Sequence, residues 1–438
     1  MRILYVTEKV PFIPGSNDQA RAYRQIEGLI EEGIHVDCIF FHDDFIYFLP
    51  GKDILSKSFN KKTIKAFKRS KRQLYTILDI VKGYPVTVSK YAAPELNTVI
   101  RTILKTEPYD TIHLQSKLAH NLKETEGLPK LLIDFVEADS WSLHEQIDQT
   151  DNKIAKYILM EEHRRLKRHD RDVRLKFDKG IVQSRRDREE ISATGDQVKV
   201  VPHIQLVPKT LRRASRKKAI VFSGKMNAAH NIAAAKRLVN NIYLPLKQEI
   251  ADLECWIVGG QPGAEVEELA KIDGVTVTGY VKDNISYIRN GSVYVAPLEF
   301  GTGIHQQIIE AAIQARPVVL SDTANSGIGF TDSKEAKVCG TDEEFIDSIR
   351  QLLEDSSTGT RLSRNAKKYV KRKFNKELAI RLLMSTYHSL LSNQQAADSL
   401  EAEAAVAEEE TEEDSRLEDQ HEGEVDVFIK KERHQLTS

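Results

Sequence analysis

Strand-length apolar segments alternate with helix-length segments twice along this chain of 438 residues, and this pattern restricts the fold more than any other feature. The first series has predicted strands at residues 2–7, 34–41, 110–114, 130–136, 178–184 and 198–201. After a basic connector, the second series has predicted strands at residues 218–223, 254–259, 275–278, 292–297 and 317–321. Such alternation is typical of parallel sheets that helices cover on both faces.

The pattern therefore predicts an α/β protein with two Rossmann-like domains, at residues 1–205 and 206–375, which also suits the chain length. Apolar residues three or four positions apart mark the helices between the strands. In the second domain these helices are predicted at residues 230–250, 263–271, 304–315 and 341–355. One more helix, at 376–392, is predicted within the segment 376–394 that follows both domains.

Charge is distributed unevenly between the body of the chain and its C-terminus. The formal net charge is −1, but residues 398–426 carry 14 acidic residues and a single arginine. With the last twelve residues at +2, residues 1–397 are left with a net charge of +10. A basic body favours anionic ligands or surfaces. Residues 395–438 have too little apolar surface to bury, so this acidic tail is predicted to be disordered.

Several classes of protein do not fit this sequence. The cysteines Cys38, Cys255 and Cys339 are odd in number and far apart, which favours reduced thiols over a disulfide framework or a zinc site. No run of 18 apolar residues is present, and the charged pair Glu8 and Lys9 directly follows the first predicted strand, unlike a signal peptide. We therefore expect a cytoplasmic protein.

The segment from Tyr294 to Ser321 carries the clearest chemical signal. A predicted strand ends at Pro297, and the glycine-containing loop 299–303 then leads into a helix expected to start near Ile304. Free amide groups at a helix start, aided by the helix dipole, bind phosphate well. Glu310 lies two turns further, where a carboxylate matches a ribose diol. The alternative is a glycine-rich turn that only caps the helix, with Glu310 in solvent.

Four blocks of the second half resemble the C-terminal domain of family-4 glycosyltransferases in order and spacing. They are VFSGKMNAAHNI (221–232), WIVGG (256–260), VTGYVKD (277–283) and GTGIHQQIIEAAIQARPVV (301–319). The first half is similar more loosely, through PFIPGS (11–16), the strand at 34–41 and LIDFVEADSW (132–141). The resemblance implies the GT-B fold, with the helix at 376–392 crossing back to the first domain. It also implies retaining transfer from a nucleoside-diphosphate sugar, with no metal or other cofactor.

The resemblance also assigns the donor site residue by residue. Lys225, beside Gly224, matches a basic position that faces the donor diphosphate and would stabilise the leaving group, and His230 matches a second such position. Tyr280 and Val281 match the stretch that meets the base. The diphosphate is expected on Lys225 and on the amides of Gly303 and Ile304, and the ribose on Glu310. Thr302 is also expected in the donor site. Three positions depart from the pattern, because the family often has an acid at 302, a basic residue at 307 and paired glycines at 15–16.

Acceptor residues are expected in the first domain. The resemblance places Gly15, Ser16, Glu137 and Asp139 near the acceptor sugar, with Asp139 and Lys225 as the catalytic pair. Asp139 also has a structural interpretation, because it or Ser140 could cap the following helix. His113 is interpreted as a packed core histidine rather than a catalytic one.

Residues 57–72 contain eight Lys or Arg and no acid, and an aromatic run at 45–49 precedes them. A basic helix beside an apolar loop predicts weak, salt-sensitive binding to anionic membranes, and a solvated helix over ordinary core is the alternative. No nucleic-acid-binding module is recognised, so nucleic acid is not an expected partner.

Taken together, these features predict a glycosyltransferase that uses a nucleotide-sugar donor and a glycan or lipid-linked acceptor. Two other functions are compatible with the same residues. One is a sugar-nucleotide epimerase on this fold, and the other is a protein that binds nucleotide-sugars without catalysis, which the altered donor loop and the acidic tail would suit.

Overall fold

The structure is a computed structural model, and it describes residues 1–13, 17–56, 65–69, 72–136, 138–148, 150, 152–191, 197–205, 217–301, 304–391 and 399–400. Within these residues it contains two sheets, each formed mostly by parallel strands. This is the α/β architecture that the alternation predicts. The acidic tail at 395–438 lies almost wholly outside the described residues, so its disorder stays a prediction.

The first sheet has eight strands among the described residues, in the order β4-β3-β2-β1-β5-β6-β7-β8. They are β1 (Arg2–Thr7), β2 (His35–His42), β3 (Phe45–Pro50), β4 (Lys65–Lys68), β5 (Thr111–Gln115), β6 (Lys130–Asp134), β7 (Lys179–Val182) and β8 (Val198–Val200). β2, β3 and β4 pair in antiparallel fashion, and the other neighbours are parallel. The order reverses between β1 and β5.

The second sheet has six described strands, in the order β11-β10-β9-β12-β13-β14, and every pair is parallel. They are β9 (Ala219–Ser223), β10 (Glu254–Val258), β11 (Val275–Val277), β12 (Val293–Ala296), β13 (Val318–Ser321) and β14 (Lys337–Cys339). The order reverses here between β9 and β12. Both sheets thus have the switch point at which open α/β sheets bind ligands.

The helices connect successive strands and cover the faces of the sheets. In the first half they are α1 (Asn17–Glu31), α2 (Gly51–Leu55), α3 (Arg72–Val81), α4 (Val86–Ser89), α5 (Glu95–Leu104), α6 (Asp139–Asp148), α7 (Lys153–Lys176) and α8 (Arg185–Ile191). In the second half they are α9 (Ala229–Arg237), α10 (Leu244–Glu249), α11 (Ala264–Glu268), α12 (Asn284–Asn290), α13 (Gln306–Ile313), α14 (Asp322–Asn325), α15 (Asp342–Glu354), α16 (Ser356–Lys373) and α17 (Lys376–Leu390). Within the described residues, none of the helices combines the length and the apolar character that crossing a membrane requires.

The last helix, α17, packs on the first sheet although it follows the second one in sequence. Its buried residues Ile380, Leu383 and Tyr387 belong to the same core cluster as Ile3 of β1. The Tyr387 hydroxyl lies 2.6 Å from Nδ1 of His113 on β5. The chain therefore returns to its first domain after completing the second.

A buried ion pair lies at the end of β6, beneath the same helix. Nε of Arg21 donates to Oδ2 of Asp134 over 2.8 Å, and both side chains are at most 1% exposed. Burial opposes ionisation of Asp134, but Arg21 and His113 lower its pKa to about 2. His113 stacks on Tyr5 at 4.1 Å and burial lowers its pKa, as expected of a packed core histidine.

The aromatic run at 45–49 was wrongly interpreted as an apolar loop. It forms β3, whose Ile46, Phe48 and Leu49 are buried. Residues 65–68 of the basic run form the edge strand β4 rather than a helix, and residues 57–64 and 70–71 lie outside the described ones. Lysines at both ends of β4 suit an edge strand, because charge at an edge discourages pairing with another chain.

Two helices of the second domain also differ from the prediction. The segment expected as one helix at 230–250 is divided into α9, a π-helical turn at Leu238–Tyr243, and α10. The helix expected to start near Ile304 starts at Gln306, with His305 as its N-cap residue. Ile304 is instead buried in the core of the second domain.

Removal of residues 396–438 is expected to leave the melting temperature within about 2 °C of the full chain, because a polar acidic segment buries little apolar surface. Differential scanning calorimetry would measure this. The matched control removes residues 376–438, which also deletes α17 and its buried side chains. That larger deletion should unfold the first domain, and a comparable loss from the shorter one would show that the tail packs on the body.

Candidate functional site

The loops that follow β9 and β12 meet at the switch point of the second sheet. The loop after β9 carries Gly224 and Lys225, and the loop after β12 runs from Pro297 to Gly301. In an open parallel sheet the crevice at the carboxyl ends of these two strands is the usual ligand site. The topology therefore brings together the two segments to which the resemblance assigned the donor diphosphate.

Close backbone contact shapes this crevice. The amide of Gly224 donates to the carbonyl of Val258 over 3.0 Å. Gly259 has a φ of +152°, and a Cβ atom there would lie 1.8 Å from the carbonyl oxygen of Gly224. A side chain at 259 would therefore force apart the loops that follow β9 and β10, so this glycine is needed for their approach.

Two neutral histidines stand beside the start of α13. The His230 and His305 rings lie 6.0 Å apart between centroids. Burial lowers the pKa of both, and the pKa of His305 falls to about 3 because nearby His230 and Arg186 oppose its charge as well. Nε2 of His305 is buried without a hydrogen-bond partner. This atom can donate to or accept from a ligand placed at the helix start, which compensates for burying it.

Glu310 lies one turn into α13, not two, because the helix starts at Gln306. Burial raises the pKa of its carboxyl to about 7. A half-buried carboxyl at a switch point, with a strongly shifted pKa, is the kind of group found at functional sites. The alternative of a solvated Glu310 on a surface helix does not fit this enclosure.

The other assigned donor residues differ in how the structure places them. The side chain of Lys225 is exposed, and in the described part of the chain it has no carboxylate partner. Tyr280 is 82% exposed and stands beside Gly260, at the mouth of the crevice. Val281 is partly buried against the core. Thr302 and Gly303 lie outside the described residues.

The first sheet contributes a second group of charged residues at its own carboxyl edge. Oδ2 of Asp139 pairs with Nζ of Lys117 over 2.7 Å, so the Asp139 carboxylate faces a cation. Burial raises the pKa of Glu8, and burial with the nearby Asp139 raises the pKa of Asp170 to about 8. A pKa of about 8 favours the protonated form of Asp170 at pH 7, and that form can donate a hydrogen bond.

The two residues predicted to be catalytic, Asp139 and Lys225, belong to different domains. Asp139 pairs with Lys117, and among the described residues no ion pair joins it to Lys225. Gly15, Ser16 and Glu137, the other predicted acceptor residues, lie outside the described residues. The sequence interpretation missed Asp170 and His305. His305 could have been found, since it lies within the block 301–319, whereas Asp170 joins the cluster only through the packing of α7.

Arg186 contacts residues of both domains. Its guanidinium stacks on Trp141 with 4.2 Å to the ring centroid and donates to the hydroxyl of Ser326 in the second domain. Its charge also acts on His305 at the start of α13. The carboxyl edge of the first sheet therefore faces the donor crevice of the second.

Binding of a nucleotide at Glu310 is expected to weaken by up to about tenfold between pH 8 and pH 6. A diol donates hydrogen bonds to the ionised carboxylate, and with a pKa of about 7 only about a tenth of Glu310 is ionised at pH 6. Calorimetric titration with UDP across this range would measure the change. Because the terminal phosphate also titrates here, the Glu310→Gln variant serves as the baseline. An equal slope in both proteins would contradict the assignment.

Comparison with known proteins agrees with this geometry. Residues 217–355 match the family described as Glycosyl transferases group 1. No curated protein matches the sequence. Among solved structures, sucrose-phosphate synthase from Thermosynechococcus elongatus is similar with a TM-score of 0.63 and 14% identity, over 90% of this chain and 99% of that one.

Two further similar structures were solved in complex with a nucleotide. Anabaena Alr3699/HepE in complex with UDP and glucose has a TM-score of 0.59 and 13% identity, over 89% of this chain and 100% of that one. A mutant of S. aureus TarM, in complex with Fondaparinux, alpha-GlcNAc-glycerol and UDP, has a TM-score of 0.50 and 14% identity, over 66% of this chain and 57% of that one. This chain has the two-domain GT-B fold, and its residues 217–355 match the group 1 glycosyl transferase domain.

Proposed function

We propose that this protein is a glycosyltransferase that moves a sugar from a nucleoside-diphosphate sugar to a glycan or lipid-linked acceptor with retention of configuration. The observation that carries the proposal is Glu310, a half-buried carboxyl whose pKa is raised to about 7, on the helix that starts at the switch-point crevice. The match of residues 217–355 to group 1 glycosyl transferases supports the same function.

On the donor side, each group in the crevice has a separate role. Glu310 would accept the two ribose hydroxyls, and Lys225 would stabilise the charge that develops on the diphosphate. Nε2 of His305 would hydrogen-bond the phosphate or the sugar. We expect the base to lie against the Tyr280–Val281 stretch, and Thr302, Gly303 and Ile304 to line the phosphates, as the resemblance implies. UDP is the nucleotide we expect, since two similar structures were solved with it.

On the acceptor side, the protein would position a hydroxyl rather than activate it strongly. In the proposed retaining reaction the acceptor attacks on the face from which the diphosphate departs, and the diphosphate takes the proton. No pair of carboxylates of the glycosidase type is then required. Asp139 and the neutral Asp170 would hydrogen-bond the acceptor sugar, with Gly15, Ser16 and Glu137 nearby. We propose that no metal or other cofactor takes part.

A ligand panel followed by a turnover assay tests this proposal. Thermal shift and calorimetry with UDP, GDP, ADP and TDP, and with their sugars, identify the donor, and release of nucleotide with a trial acceptor identifies transfer. We expect UDP to raise the melting temperature and a UDP-sugar to be consumed. Release of a free epimerised sugar would assign an epimerase instead, binding without turnover would assign a non-catalytic protein, and no binding of any nucleotide would reject the site.

The cytoplasmic location and the peripheral contact with anionic membranes through residues 57–72 also stay proposals. Most of the apolar run expected beside these basic residues is buried in β3, although Phe45 is 38% exposed. Most of the other exposed apolar residues of the first domain lie on α3, α4 and α7.

A further inference from the structure

Exposed apolar side chains are concentrated on one part of the first domain. Of the thirteen large apolar side chains that are exposed among the described residues, nine lie on α3, at the start of α4 and on the N-terminal half of α7. They are 38% to 78% exposed and comprise Leu74, Ile77, Leu78, Val81, Val86, Ile154, Tyr157, Ile158 and Met160. Single exposed apolar residues are ordinary, but a contiguous group marks an interaction surface.

The spacing of these residues places them on one face of each helix. On α3 the four residues follow the i, i+3, i+4, i+7 pattern, and on α7 Ile154, Tyr157 and Ile158 follow i, i+3, i+4. The short helix α4 contacts both α3 and α7. The Glu162 carboxylate of α7 accepts from the amides of Val86 and Thr87 in α4 at 2.9 and 3.0 Å. α4 therefore links the two helices, and we call the nine exposed apolar residues of α3, α4 and α7 the α3–α7 surface.

A basic cavity of about 530 Å³ begins where α3 ends. Lys82, Lys123, Arg165 and Arg168 are among its lining residues, and the lining contains a single acid, Asp172. Asp172 lies 3.3 Å from Arg171, outside the lining. In the described part of the chain Lys82, Lys123 and Arg168 have no carboxylate partner. The buried floor of the cavity includes Pro85, Val173 and Phe177. The positively charged side chains of the lining therefore surround an apolar floor.

Burial also keeps the one buried histidine of the cavity lining, His169, uncharged at neutral pH. The pKa of His169, which lines the cavity beside His120, is lowered to about 4 by desolvation and by the nearby His120 and Lys117. The cavity adjoins α3 directly, because Nη1 of its lining residue Arg165 donates to the carbonyl of Ile80 in α3 over 3.0 Å. Exposed apolar residues next to unpaired cations suit an interface with anionic lipid.

We propose that the α3–α7 surface docks this protein on an anionic phospholipid bilayer, with the basic cavity holding a lipid phosphate headgroup. The apolar side chains would insert at the level of the acyl boundary while Lys82, Lys123 and Arg168 face the phosphates. A second copy of the chain fits this surface less well. A two-fold interface would use this basic patch twice and gather the cations of both subunits, whereas an anionic bilayer supplies the opposite charge. This docking is independent of the chemistry proposed for the cleft.

Vesicle flotation of the full chain tests the proposal. Vesicles of phosphatidylcholine alone are compared with vesicles that contain phosphatidylserine as well, at low and at high salt. We expect flotation only with the anionic vesicles, and a partition coefficient that falls as salt is added, because salt screens the cationic contribution. Flotation should persist in millimolar inorganic phosphate, which separates a lipid site from a site for free phosphate.

Two double variants separate the apolar from the basic contribution. Ile77→Asn with Ile158→Asn should lower the partition coefficient about tenfold or more, and Lys123→Gln with Arg168→Gln about tenfold. The matched controls are Tyr280→Asn, which is exposed on the second domain, and Lys271→Gln, and both should float like the parent. Circular dichroism melting confirms that each variant is folded.

Three results would overturn the proposal. The first is absence of flotation at low salt, and the second is equal flotation with neutral vesicles together with no effect of the basic variant. The third is a concentration-dependent dimer, seen by sedimentation without flotation, that the Ile77 and Ile158 variant abolishes, because this would assign the surface to a second copy. Calorimetric binding of inorganic phosphate in the cavity without flotation would assign the cavity to free anions.

Discussion

Glu310→Gln is expected to weaken UDP binding by about ten- to hundred-fold. A hydrogen bond to a charged acceptor contributes on the order of 1.5–3 kcal/mol, and the substitution removes the charge that the ribose hydroxyls would meet. Stability should change little, because burial holds the pKa of this carboxyl near 7 and glutamine resembles its neutral form. UDP and UDP-sugar should lose similar affinity, since both contain the ribose.

Calorimetry on the parent and the variant measures this effect at pH 8, where Glu310 is mostly ionised. Glu267→Gln, an exposed carboxylate on α11 of the same domain, is the matched control and should bind UDP like the parent. Unchanged affinity in Glu310→Gln would remove this residue from the site. A melting temperature that falls by several degrees would instead show that Glu310 supports the fold.

Asp134→Asn is expected to destabilise the protein by about 3–5 kcal/mol, the largest stability effect that we predict for a single substitution. The change leaves the guanidinium of Arg21, which is 1% exposed, without its carboxylate partner. An unpaired buried charge costs this much because neither water nor another charge compensates it. The melting temperature should fall by about 10 °C for a domain of this size.

The control for Asp134→Asn is an exposed pair. Glu268→Gln removes the partner of Lys271 at 2.6 Å, and the free energy of unfolding should change by under about 1 kcal/mol.

The free energy of unfolding of the parent protein should also depend on pH, because the pKa of Asp134 is lower in the folded protein than in the unfolded chain. The contribution of Asp134 is present above its ordinary pKa near 4 and is lost as the pH falls towards about 2. A variant as stable as the parent would show that Arg21 finds another partner.

The parallel strands could be predicted from the sequence because each is a short apolar run between helical patterns. β1, β5 and β9 lie within a residue or two of their predicted bounds. β3 and β4 were missed for a physical reason, since the aromatic run at 45–49 does not alternate with polar residues and β4 is dominated by lysine. Which strands pair, and in which order, depends on tertiary packing that no local pattern shows.

The site could be predicted in part. Glu310 follows from a motif that is continuous in sequence, the block at 301–319. The interaction of Asp139 with Lys117, the neutral Asp170 and the contact of Arg186 with Ser326 could not be foreseen. These side chains come from elements far apart in the chain and meet only when both sheets have formed.

The return of α17 to the first sheet has a consequence for synthesis of the chain on the ribosome. Ile380, Leu383 and Tyr387 belong to a core cluster that also contains Ile3, so the first sheet lacks part of its core until α17 has been made. The N-terminal half emerges with one apolar face uncovered while the second sheet, whose core lies between residues 219 and 374, can already close. The later half would thus mature first, reversing the usual N-to-C order of domain folding.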